Sequence, residues 1–162
     1  LEITTTLGDI DGDGDYDELY SYGARSFSIW SETGQLIYDS GNDIGQQTLR
    51  LTPDRFNDDD GRSDAKGGEP ESVAILQLRN NKWLMFVGLE RNDQVLVYDI
   101  SNPYRPRFLQ ILSNGGGEVG DLAPEGLLVV SEEDSPTGKA LLIVSNEDSG
   151  TVSIYQNGEL EL

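Results

Sequence analysis

The sequence contains no cysteine and no histidine, and eleven lysines and arginines stand against thirty aspartates and glutamates. Without cysteine there are no disulfides, no thiolate nucleophiles and no cysteine-held zinc or iron–sulfur sites. Without histidine the Ser-His-Asp and Cys-His arrangements are excluded, and most transition-metal chemistry goes with them. Any chemistry must run on carboxylates, hydroxyls, Arg and Lys, and hard cations such as Ca²⁺ or Mg²⁺. A net charge of −19 denies the chain the basic face that phosphate binding needs, so nucleic acid is not an expected partner. Such an excess of carboxylates opposes compaction unless bound cations offset it. No apolar run approaches membrane-spanning length, so no membrane insertion is expected. The opening residues, Leu1–Thr6, read as the middle of a strand rather than as a leader, and the expectation is a mature or excised piece whose export signal lay upstream.

Helical periodicity is also scarce. Short apolar runs rich in β-branched and aromatic residues alternate with Gly, Asn, Asp, Ser and Pro, the pattern of an all-β protein. Strands are expected at Ile3–Leu7, Glu18–Tyr22, Ser26–Trp30, Leu36–Asp39, Val73–Leu78, Trp83–Leu89, Val95–Ile100, Phe108–Leu112, Gly126–Val130, Ala140–Ser145 and Val152–Tyr155. An internal repeat organises them. Glu69-Pro-Glu-Ser-Val-Ala-Ile75 aligns with Ala123-Pro-Glu-Gly-Leu-Leu-Val129, and Leu84–Glu90 with Leu141–Glu147. Gln94-Val-Leu-Val-Tyr98 then falls on Thr151-Val-Ser-Ile-Tyr155. A weaker copy upstream sets Ser26–Trp30 at the place of the Tyr-ended strand.

Repeats of this size, with four short strands each, point to a β-propeller segment of about three four-stranded blades. The blades are expected at residues 1–40, 69–113 and 123–162, with an acidic inserted loop at 41–68. Trp30, Trp83, Tyr98 and Tyr155 read as blade core. Propellers close with four to eight blades, so further blades are expected from another copy or another chain. A β-sandwich of eleven strands is the alternative, and it would not predict the repeat.

Asp9-Ile-Asp11-Gly-Asp13-Gly14-Asp15-Tyr-Asp17 opens with D-x-D-x-D-G, in which a sharp turn at glycine converges carboxylates on a calcium ion. Asp9, Asp11, Asp13 and Asp17 would offer carboxylates and Asp15 its carbonyl. Tyr20 stands where an EF-hand has its bidentate Glu, and the flanks read as strands. A solvated acidic turn is the plainer reading, but five aspartates within nine residues repel one another without a cation.

Glu71 and Glu125 open the first strand of their blades and would rim a central channel as a cation site or a general acid/base pair. Glu90 and Glu147 end the second strands and could reach the same face. The plainer reading makes Pro-Glu-Ser/Gly a turn that the repeat requires. Asn57–Asp60 with Asp64 could hold another ion but lacks ordered spacing. Arg62 and Lys66 could receive an anion, or simply balance charge.

Leu7–Leu19, Tyr22–Trp30, Arg62–Glu71, Gly88–Arg91 and Ala123–Gly126 together resemble the choice-of-anchor I family of secreted or surface-anchored β-propeller proteins. The resemblance covers nearly the whole chain and implies an extracellular, Ca²⁺-carrying propeller of which this chain is the C-terminal portion. Gly68 and Ser72 depart from the family pattern, which has Pro and Gly there. Two functions follow as expectations. One is a structural or partner- and glycan-binding Ca²⁺ module; the other is a Ca²⁺-dependent phosphoesterase of the alkaline phosphatase or phytase type, with Glu71 and Glu125 holding the metal.

Overall fold

A computed structural model describes residues 1–79, 81–116, 119–156 and 158. Its centre is an antiparallel meander of four strands: β3 (Pro70–Gln77), β4 (Trp83–Leu89), β5 (Gln94–Asp99) and β6 (Arg107–Leu112), hydrogen-bonded in that order. Ahead of it stand a hairpin of β1 (Ser28–Trp30) and β2 (Leu36–Asp39), and one helix, α1 (Asp43–Leu51). After it come the two-residue strands β7 (Gly115–Gly116) and β8 (Val119–Gly120). A three-stranded meander follows, of β9 (Pro124–Val130), β10 (Leu141–Asn146) and β11 (Thr151–Gln156). The described structure is thus mostly β, in open antiparallel sheets.

The run Leu84–Leu89 is buried along its whole length because both faces of the central sheet are covered. Alternate residues point opposite ways. Leu84 and Phe86 of β4, with Val95 and Val97 of β5, face the β9–β11 sheet, where Leu127, Val129, Leu142 and Val144 receive them. Met85, Val87, Leu96 and Tyr98 face the other way, towards Ile44 of α1 and Phe27. Each fully buried side chain of this size contributes about 1.5–3 kcal/mol, so this two-sided core is the main source of stability.

The repeat carries into fine geometry. Strands β3–β5 and β9–β11 share strand order, and each copy has an irregularity at one place. Pro70 pairs with Leu89 and Ser72 with Gly88, so Glu71 is an extra residue. Pro124 pairs with Asn146 and Gly126 with Ser145, so Glu125 is likewise extra. Glu69 and Ala123, each just before the proline, both take positive φ, 50° and 58°.

Several expectations need correction. Residues 41–68 are not a loop throughout: α1 and a 3-10 turn at Pro53–Arg55 occupy twelve of its twenty-eight residues. Only Ile44 and Thr48 of α1 are buried, and the cluster of Ile44 with Met85, Leu96 and Tyr98 adds the tertiary packing that so short a helix needs. The region 1–40 is not a four-stranded sheet. Its expected strands at Ile3–Leu7 and Glu18–Tyr22 reduce to one bridge, Ile3 with Ser21, beside the β1–β2 hairpin. Trp30 and Trp83 are not core, being 58% and 39% exposed, whereas Tyr98 is buried and Tyr155 packs against the inter-sheet core. The end of the third expected blade, residues 157 and 159–162, lies outside the described residues.

Candidate metal centre

The Asp9–Asp17 segment is a turn closed on itself. The Gly8 carbonyl accepts the N–H groups of Asp17 and Glu18 at 2.9 and 3.1 Å. The Asp9 carboxylate accepts from Gly12 N–H at 2.7 Å and Gly14 N–H at 3.1 Å, and Asp17 accepts from Ile10 N–H at 3.0 Å. Gly12 and Gly14 adopt φ of 78° and 98°, which glycine takes at no steric cost. Thus Asp9 and Asp17 are fixed by backbone donors.

Carboxylate oxygens of Asp9, Asp11 and Asp17 all lie within 4.8 Å of one another. A Ca²⁺ ion binds oxygens at about 2.3–2.6 Å, so two ligands on opposite sides of it stand roughly 5 Å apart, and all three groups fit one coordination sphere. Asp13 and Asp15 are not in this group. The Asp13 side chain turns to accept Asp15 N–H at 3.0 Å. All five aspartates are exposed, and among the described residues none forms an ion pair with Lys or Arg. The donor set, all hard oxygen and uncompensated by protein cations, suits Ca²⁺ in residue type and spacing.

A second carboxylate group joins Glu69, Glu71 and Glu90, and its surroundings differ. Glu69 is 3% exposed and receives Arg62 at 2.5 Å, Lys66 at 3.1 Å and Arg91 at 3.6 Å. Burial disfavours its charge, but hydrogen bonds from Arg62 and Lys66 outweigh that and hold its pKa below the ordinary carboxylate value. Arg62 and Lys66 are therefore committed to Glu69. That role was not legible in their spacing, since it depends on the burial of the Glu69 side chain, which the sequence does not display.

The bulges at Glu71 and Glu125 set equivalent side chains beside equivalent partners. Carboxylate oxygens of Glu71 and Glu90 lie within 4.8 Å of each other, and Glu125 stands close enough to Glu147 to feel its charge. Desolvation, assisted by Glu71 and Glu69, raises the Glu90 pKa against the pull of Arg91. The charge of Glu147 raises that of Glu125, with a smaller contribution from Glu71. The four glutamates singled out in the sequence thus form two repeat-related pairs, close enough for one to feel the other.

Asp58, Asp59 and Asp60 are exposed. Asn57 through Asp60 all adopt left-handed φ, a conformation Asn and Asp tolerate better than other side chains. Asp58 and Asp59 line a cleft of about 440 Å³ with Glu90, Arg91, Asp93 and Asp148. Asp93, which the sequence did not single out, accepts the Ala123 N–H at 2.9 Å and so ties the turn after β4 to the start of β9.

No helix among the described residues is long and apolar enough to cross a membrane. Residues 1–103, from the aspartate turn through β5, match the sequence profile of the choice-of-anchor I domain. The chain is 33% identical over 180 residues to Gigasin-3a of Magallana gigas, an alignment that covers 96% of this chain. The chain spans 63% of that relative's length. No solved structure matches the chain. With its aspartate turn inside the matched region and a relative aligned along nearly its whole length, the chain belongs to the choice-of-anchor I family.

Proposed function

We propose that this chain is a Ca²⁺-binding segment of a secreted or cell-surface β-propeller, with a structural or partner- and glycan-binding role. The observation that carries the metal is the convergence of Asp9, Asp11 and Asp17, which among the described residues form no ion pair with Lys or Arg. Asp9 and Asp17 would hold the ion from positions fixed by backbone N–H groups, and Asp11 would complete the acidic face. Asp15 could add its carbonyl, and Asp13 its carboxylate after a rotation away from the Asp15 N–H. Ca²⁺ here would neutralise mutual repulsion and lock the turn; no reaction is required of it. The propeller is supported by two stacked meanders with one strand order and one bulge position, which are the attributes of successive blades. On this reading further sheets of the same kind pack beside these two.

The test is calorimetric titration with CaCl₂ after chelation, alongside the melting temperature with and without the metal. Saturable binding with a higher melting temperature is the expected result. An unchanged melting temperature and no heat at millimolar Ca²⁺ would remove the metal from this reading.

A Ca²⁺-dependent phosphoesterase is the second reading, favoured by the raised pKa values of Glu90 and Glu125, since perturbed carboxyls cluster at functional sites. It requires hydrolysis of p-nitrophenyl phosphate that depends on Ca²⁺ and disappears in Glu71→Gln. Activity indifferent to that substitution would eliminate it.

A further inference from the structure

We infer that the exposed face of the β9–β11 sheet seats one more sheet of the same repeat, packed as β9–β11 is packed against β3–β6. This deepens the propeller reading and rests on it. The argument is one of equivalent positions. Leu84, Phe86, Val95 and Val97 are 1%, 6%, 3% and 0% exposed because β9–β11 lies over them. Fifty-seven residues on, the repeat places Leu141, Ile143, Val152 and Ile154 on the same strands and the same face. All four are apolar, yet among the described residues they are not covered in the same way, and Leu141 and Ile143 are only half-buried. Val152 is 65% and Ile154 63% exposed, and Leu128, which pairs with Ile143 across β9 and β10, is 60% exposed.

A sheet face that meets water in its working state carries polar residues at alternate positions. This one repeats the chemistry of the buried face instead. A contiguous apolar patch on a chain of net charge −19 marks an interaction site. Its acidity disfavours an anionic bilayer as the occupant.

The occupant is specified by the interface already present. It is an antiparallel sheet that presents apolar side chains where β9–β11 presents Leu127, Val129, Leu142 and Val144. A second copy of this chain cannot supply that face from its own β9–β11, where it is already used. Nor can it do so from the equivalent face of its central sheet, where Met85, Val87, Leu96 and Tyr98 are covered by Ile44 and Phe27. The occupant is therefore a further repeat from polypeptide outside these 162 residues. One contact would not carry over: Gly150 stands where Asp93 ties the first sheet to Ala123, so the next sheet docks through its apolar face.

The test uses an extended chain in which residues 113–156 are repeated after Gln156, compared with the original chain. Methyl NMR with a soluble paramagnetic probe reads the exposure of Leu128, Val152 and Ile154. The expected result is a several-fold fall in probe-induced relaxation of these methyls in the extended chain, restored by Ile154→Asp. Methyls that stay as exposed as in the original, whether the added repeat folds or not, overturn the proposal. So does native mass spectrometry in which the original chain dimerises and Ile154→Asp makes it monomeric, because the occupant is then a second copy. Ca²⁺ titration of both samples separates the two readings: protected methyls without metal binding would sink the calcium role alone.

Discussion

Ser72 of β3 lies directly across from Gly88 of β4, and its Oγ stands 2.3 Å from where a Cβ on Gly88 would be. In the second repeat the pair is reversed: Gly126 of β9 faces Ser145 of β10, again with 2.3 Å between the hydroxyl and the absent Cβ. One side chain fits at this cross-strand position, and either strand can supply it. Ser72 is compatible with the fold because Gly88 makes room.

Gly88→Ala is accordingly expected to destabilise the chain by about 1–3 kcal/mol through overpacking, since the Pro124 carbonyl also lies 3.1 Å from the new Cβ. Ser72→Gly combined with Gly88→Ser reproduces the arrangement of the second repeat and should recover part of the loss. Urea denaturation of the single and double variants reads the coupling, expected at roughly 0.5–3 kcal/mol for residues in contact. Strict additivity would show that the hydroxyl does not compete for this space.

Glu69→Gln removes a buried carboxylate from three cations that are themselves a third to half exposed and should cost roughly 1.5–3 kcal/mol, the range for hydrogen bonds to charged groups. The pH dependence has a definite sign. Because the folded-state pKa of Glu69 is depressed, its contribution is present above the ordinary carboxylate pKa and is lost as pH falls through the folded value. Thermal melts of the wild type should therefore decline on the acid side more steeply than those of Glu69→Gln.

Glu125 carries the opposite sign. Its folded pKa is raised, chiefly by Glu147, so stability is fullest below the ordinary carboxylate range and falls as pH rises through the folded pKa. Glu125→Gln should raise the melting temperature slightly at pH 7 and leave it unchanged near pH 4. Equal effects at both values would mean that the two carboxyls do not interact.

Within the aspartate turn the five residues should not be equivalent. Asp9→Asn and Asp17→Asn, which also weaken backbone anchoring, are expected to reduce Ca²⁺ affinity at least tenfold. Asp15→Asn, whose side chain is outside the converging group, should change it less than threefold. Calorimetry on the three variants makes the comparison. Equal losses would require a coordination sphere drawn from all five.

Much of this was legible beforehand, for reasons that differ by element. Trp83–Leu89 is bounded by turns and apolar throughout, and its strand has those limits. The repeat located Glu71, Glu90, Glu125 and Glu147 because a bulge fixed by Pro-Glu travels with the pattern. What periodicity could not reveal was anything decided by neighbours. Helix α1 exists because Ile44 finds Met85 and Tyr98, and Tyr98 Oη donates to Asp43 at 2.9 Å. Trp30 and Trp83 look like core by composition, but both are exposed. The convergence of Asp9, Asp11 and Asp17 without Asp13 was equally invisible, since spacing says which aspartates are near and not which way each turns.

Beside the apolar interface that joins the two meanders, one polar tie clasps their turns: the Asp93 carboxylate accepts from the Ala123 amide, thirty residues downstream. Both halves of this joint belong to the repeated pattern, so each unit brings its own share of it. Duplication or loss of a unit during evolution could therefore proceed without redesigning its neighbours, and the Asp-to-Gly difference between residues 93 and 150 would set how firmly successive units are clasped. Lineages of this architecture would then vary in unit number more freely than in the composition of any one unit.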